Sequence, residues 1–273
     1  MTQALTARVE WEQHPVGWWV DGYPLNHLAW SVEEIRSGLG LPARKGENID
    51  TAGEPGERHR SKVHGARTLS LKLFLIPQDH PLSDHLEGEL RRLQHILGQQ
   101  TVTLTRAVKV DGRVEHVTAT GEVADAVEAS VLKPANAADL VVDFRLFDPY
   151  WYLVERSQQV DFGAGTQRVW NPATVERHYD NRVVMHGPLT TPRLTNHTLS
   201  AWVEYGGSIG DGETVTLDSR EMTAVDDAGN SVAADVSKSD RWWMELAAER
   251  NRFELTGDSG SGRADVAWRP ALL

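Results

Sequence analysis

Gly206-Gly207-Ser208-Ile209-Gly210 fits the G-x-S-x-G pattern, which sets a serine nucleophile on a strained strand-to-helix turn. Hydrolysis there needs an acid and then a histidine further along the chain. The last histidine is His197, ahead of the serine, and no helical pattern comes after Gly210. A glycine-rich turn accounts for the match. Gly257-Asp258-Ser259-Gly260 echoes the nucleophile segment of trypsin-like proteases. Ser261 stands where the next glycine belongs, and no base segment accompanies it. A hairpin loop between strands at 253–256 and 264–268 is expected instead. The chain is predicted not to be an enzyme.

Eleven histidines raise the question of a metal. No H-E-x-x-H is present, and pairs such as His59 with His64 or His80 with His85 fit no ligand spacing. Neither a metal nor a cofactor is expected. A glycosidase carboxylate pair leaves no local signature, and nothing points to one. Trp202, Trp242 and Trp243 could stack on sugar rings, although tryptophan in a β-sandwich belongs more often to a core or an interface.

The elements that must position these residues are mostly strands. Segments 16–20 and 27–35 read as β, and 68–76 is a strand. A helix comes next, with Ser83 as N-cap, acidic Asp84, Glu87 and Glu89 near its positive end, and Leu86, Leu90, Leu93 and Leu97 in one apolar stripe. Gly98 stops it. Strands resume at 101–108, turn at Asp111-Gly112 into 114–119, and continue at 121–131 and 138–147. In the last, Leu140, Val142, Phe144 and Leu146 share one face. Asp148-Pro149 cannot extend that ladder, because proline has no N–H to donate. Tyr150, Trp151 and Tyr152 then place large rings where the chain turns. Phe147, Pro149, Tyr150 and Trp151 are therefore read as an interdomain or intersubunit seam, with Phe144 to Tyr152 closing the first domain.

Residues 41–67 are a long polar stretch. A structureless loop of that length is uncommon in a compact domain. Two readings stand: a disordered surface excursion, or an arm that orders against a neighbouring subunit. Beyond 157, strands of five or six residues alternate with Gly, Asn and Asp turns, as in an antiparallel sandwich or jelly roll. Domains at 1–157 and 158–273 are expected. Each half is mildly acidic, and the chain's formal charge is −11. Duplex DNA and anionic membranes are therefore not the expected partners. No cysteine is present, which excludes disulfides and thiol chemistry. No leader is read at 1–12 and no membrane-spanning run anywhere, so a soluble chain made in a cytoplasm is expected.

In order and spacing these features resemble the distal tail (minor tail) proteins of siphophages, the actinobacteriophage type above all. Gly38-Leu39, Pro42-Ala43-Arg44-Lys45-Gly46-Glu47-Asn48 and Pro55-Gly56 are similar to the family's loop. Segments 70–76, the leucine helix and 101–106 resemble the family's strand, helix and strand next in order after that loop. Phe147-Asp148-Pro149-Tyr150-Trp151 is similar to the family's domain end. Segments 212–218 and 251–255 with Trp268-Arg269-Pro270 resemble its C-terminal sandwich.

The resemblance implies a mainly β fold: an N-terminal β-sandwich belt domain with one helix, then a galectin-like antiparallel sandwich. It implies a homo-oligomeric ring, commonly hexameric, at the virion's tail tip. The ring would join the tail tube to the tail-tip hub, beside tube and tape-measure proteins. Arg44, Lys45, Asn48, Glu54, Glu57, Arg58 and Arg60 are then candidates for an oligomer-interface arm. An acidic lining would let the genome pass without trapping it. The other reading is a host-glycan-binding module using Trp202, Trp242 or Trp243.

Overall fold

The structure, a computed structural model, describes residues 17–26, 30–37, 39, 41–45, 49–50, 57–58, 63–76, 83–110, 112–125, 127–132, 137–175, 177–178, 180–239 and 243–273. The chain divides into two compact units between Trp151 and Tyr152, ahead of the expected 157.

In the first unit, antiparallel strands lie in the order Tyr23–Pro24, Trp18–Val20, Val102–Val110, Arg113–Val123, Ala137–Leu146, Arg67–Leu75 and Trp30–Ser37. Alternation sets the buried face. Leu69, Leu71 and Leu73 lie opposite Phe144, Val142 and Leu140, and these six are buried. Directly opposed side chains share a face, so the pairs build one continuous apolar layer. The Ser83–Leu97 helix covers it with Leu86, Leu93 and Leu97 buried and Leu90 half-buried. The edge strand Trp30–Ser37 is bulged twice and carries Glu33, Glu34 and Arg36, features that discourage further pairing.

Glu89 reveals the curvature of that sheet. Its Oε2 accepts from the Tyr23 hydroxyl at 2.6 Å and from Trp30 Nε1 at 3.2 Å. Tyr23 and Trp30 lie on the two outermost strands of the order above. One carboxylate reaches both only if the sheet curls until its edges meet beneath the helix.

The expected strand at 121–131 is two pieces. Residues through Val123 finish the Arg113–Val123 strand, and Ala129–Leu132 is a separate strand on Ala137–Leu146. Gly121 faces Leu146 across the ladder, and a Cβ there would lie 2.5 Å from the Arg145 carbonyl oxygen.

The second unit is a β-sandwich. One five-stranded sheet runs Arg156–Asp161, Arg263–Trp268, Asn181–His186, Thr214–Asp218, Thr223–Asp226; the other runs Gln167–Asn171, Glu249–Thr256, Arg193–Asn196, Ala201–Tyr205, Val236–Lys238. Val183, Met185, Val215, Leu217, Ala264 and Val266 from the first meet Val169, Leu194, Val203, Phe253 and Leu255 from the second in a common core. Glu249–Thr256 and Arg263–Trp268 thus lie in opposite sheets. The segment at 257–262 crosses between sheets and is not the expected hairpin. Inward alternation is the same for a hairpin as for a crossover, so the sequence could not separate them.

Candidate assembly elements and aromatic sites

Residues 41–67 are not structureless. Arg44–Lys45 pairs with Val63–His64, and Ile49–Asp50 with Glu57–Arg58, so the stretch doubles back as an antiparallel ribbon. Gly65 N–H closes the base on the Ala43 carbonyl at 2.7 Å. Arg44 and Lys45 are exposed there. Glu57 and Arg58 lie on the ribbon's outer rung, while Asn48, Glu54 and Arg60 lie outside the described residues.

The base of the ribbon touches the segment that closes the first unit. His64 Nδ1 and the Tyr150 hydroxyl are 3.1 Å apart in a hydrogen bond, their rings edge-on at 5.8 Å. Asp148 Oδ1 accepts from Tyr150 N–H at 3.1 Å, a side-chain-closed turn that fixes the tyrosine. The structure therefore brings two separately predicted sites, arm and domain end, onto one side-chain pair.

Trp151 is fully buried and packs edge-on to Trp18 at 5.8 Å. The Arg106 guanidinium lies 4.7 Å from the Trp151 ring centroid and 5.9 Å from that of Trp18. Such cation–π contacts replace part of the lost hydration. Burial still pushes Arg106 down to about 10, with the Arg67 charge adding to the effect. Pro149 is buried and Tyr150 half-buried. Phe147, by contrast, is 49% exposed. Phe144 and Leu146 point inward, so alternation sends Phe147 out.

Of the three tryptophans in the expected stacking platform, Trp202 and Trp243 lie within the described residues. Trp243 is 6% exposed and belongs to the sandwich core. Trp202 is half-buried, with the Arg193 guanidinium 4.0 Å from its ring centroid and occupying one face. Trp242 lies outside the described residues. Ser208 sits on a two-residue strand, Ser208–Ile209, that pairs with Leu189–Thr190. The glycine-rich turn expected there is in part this strand, with turn residues next at 211–212. Ser259 pairs with Thr190 on the same small sheet and hydrogen-bonds its hydroxyl at 3.2 Å. Among the described residues no group of three His, Asp or Glu could hold a metal.

Sequence reasoning missed a buried amide lattice in the second unit. Asn196 Nδ2 donates to the Glu245 carbonyl at 3.0 Å and to Asn251 Oδ1 at 2.9 Å. Asn251 exchanges both bonds with Ala247, at 2.8 and 2.9 Å. Asn171 donates to the Ala247 carbonyl at 3.0 Å and accepts from Trp268 Nε1 at 3.2 Å. Asn181 donates to the Met244 carbonyl at 2.9 Å and accepts from the Ser219 hydroxyl at 3.0 Å. Together these amides strap residues 244–247 to the strands. The available signal was asparagine at inward positions, as at Asn196 beside Leu194 and Asn251 beside Phe253.

No protein-family model and no curated protein sequence matches the chain. A loose structural likeness, TM-score 0.47 at 11% identity over 91% of this chain and 92% of the other, is to a chain of the phage P2 baseplate in its activated conformation with Ca. The fold assignment rests on a different structure, that of the SPP1 Dit protein (gp 19.1), described as a paradigm of the hub adsorption apparatus in phages that infect Gram-positive bacteria. The TM-score is 0.67 at 13% identity, over 94% of this chain and 99% of that one, and the chain therefore has the SPP1 Dit fold.

Proposed function

We propose that this chain is a non-enzymatic structural component of a phage tail tip. In this reading its copies form a ring, most simply a hexamer, that joins the tail tube to the tail-tip hub and the host-recognition apparatus. Its partners are then copies of itself, the tube protein, the tape-measure protein and the hub protein, and its site of action is the virion after synthesis in the host. The observation that carries the reading is the fold shared with SPP1 Dit over 94% of the chain. The strand pairing within 41–67, with Arg44 and Lys45 exposed, supports it. Backbone groups along the open edges of a two-stranded ribbon gain partners most readily on a neighbouring subunit, and a closed cyclic oligomer supplies one to every copy. Native mass spectrometry of the full chain, with cryo-EM of tail tips that contain it, tests the reading. A sharp species of about six copies is expected. A chain that stays monomeric at high concentration and is missing from tail-tip density would overturn it.

A further inference from the structure

The outer face of one sandwich sheet carries a charge arrangement that strand pairing itself disfavours. Arg168 lies directly opposite Arg252, and Trp170 directly opposite Arg250. Val169, Asn171, Asn251 and Phe253 point into the core, so all four of these alternating residues face solvent and are exposed. Like charges directly opposed weaken a strand pair. Among the described residues no carboxylate forms an ion pair with Arg168, Arg250 or Arg252. Glu254, the acidic residue next along the outward alternation, is engaged by His197 at 2.6 Å, and exposed Glu249 precedes Arg250 without an ion pair to it. A chain of net charge −11 thus carries an uncompensated basic face around a tryptophan that is 44% exposed.

We propose that this face binds an acidic glycan, the arginines pairing with its carboxylate or phosphate groups and the Trp170 indole lying against a sugar ring. Guanidinium groups match such anions with two parallel hydrogen bonds. The indole supplies a flat apolar surface beside them. Neighbouring positions on a sheet lie about 5 Å apart across strands and about 7 Å apart along them, the scale of one or two sugar residues. Duplex DNA suits the face poorly, because a long polyanion would meet the chain's overall negative charge beyond this small patch. Arginine and tryptophan are enriched at protein interfaces too, so a second copy of the chain is one of the outcomes that the test separates. Trp202, the expected platform residue, lies two strands further along the same sheet, where Arg193 already covers it. The inference does not depend on ring assembly.

Calorimetric titration of the full chain with an oligogalacturonate, a neutral malto-oligosaccharide of equal length and inorganic polyphosphate tests it. The oligogalacturonate is expected to bind, more weakly as salt rises, and the neutral oligomer not to bind. Arg250→Gln with Arg252→Gln should lower affinity at least about tenfold, and Trp170→Ala several-fold, with unchanged thermal melts. If the double variant melts lower, Arg168→Gln alone gives the same reading. Failure of the acidic oligomer to bind at low salt would overturn the inference. So would polyphosphate binding equally tightly with no effect of Trp170→Ala, which marks a bare anion patch. Salt-sensitive self-association lost in the arginine variants would instead assign the face to a second copy, and would overturn it too.

Discussion

Arg106 is a cation held among rings, and its position makes Trp151 energetically central to the first unit. Trp151→Ala removes a fully buried indole and one aromatic face from that guanidinium. A loss of about 3–5 kcal/mol in denaturant unfolding is expected. Tyr23 gives a second prediction at this scale. Burial, then the hydrogen bond to Glu89 and its charge, push the phenol up to about 12. A raised folded value means the folded state keeps its proton longest, so this contribution is intact below about pH 10 and lost as pH rises toward 12. Discounted for half-exposure, it is worth about 1–2 kcal/mol. Arg106, depressed to about 10, acts with the opposite sign as pH rises through the same region. The quantity to measure is therefore the difference between wild type and Tyr23→Phe, which should shrink from pH 10 to 12. Asn196→Ala leaves the Glu245 carbonyl without this donor and removes one of the two bonds to Asn251 Oδ1, and should cost about 1–3 kcal/mol by thermal or chemical melt. The packed rings at 149–151 were legible because a proline stop wrapped in aromatics has few uses but packing. The asparagines were not, because the same residue type that caps a buried carbonyl also makes turns, and in a texture rich in Gly and Asp the turn reading dominates.

Among the elements, alternation made the Ala137–Leu146 strand readable, and leucine spacing did the same for the helix. The ribbon at 41–67 had no such pattern. Its rungs are two residues long, with Ile49 and Val63 as single apolar positions among polar ones, and their pairing is set by backbone hydrogen bonds that leave no hydrophobic period. The crossover at 257–262 was hidden for a related reason, since strand period says which face is buried and not which sheet receives it. Gly121 shows what close strand approach demands. Its ladder partner brings the Arg145 carbonyl to within 2.5 Å of where a Cβ would sit. Gly121→Ala should push the Arg113–Val123 and Ala137–Leu146 strands apart and cost about 1–3 kcal/mol, with faster amide exchange confined to those strands.

For the whole molecule, a mainly β architecture with one helix and a second, sandwich unit was readable from the change in texture near the middle of the chain. The proposed ring has no such signal of its own, because an interface between subunits has no local sequence code. Arg44→Glu with Lys45→Glu provides a test on the proposed arm. Both side chains are exposed, so the melting temperature should hold while native mass spectrometry shifts toward monomer. An unchanged oligomer would remove these residues from the interface. The strap at 244–247 has a consequence for how the second unit meets a changing medium. The side chains that brace it are carboxamides, a hydroxyl and an indole, none of which gains or loses a proton across ordinary environments. Acid rain, brackish water or the sudden ionic change of entering a new habitat leaves that internal bracing as it was, so weathering should reach the charged surface of the second unit long before it reaches its interior.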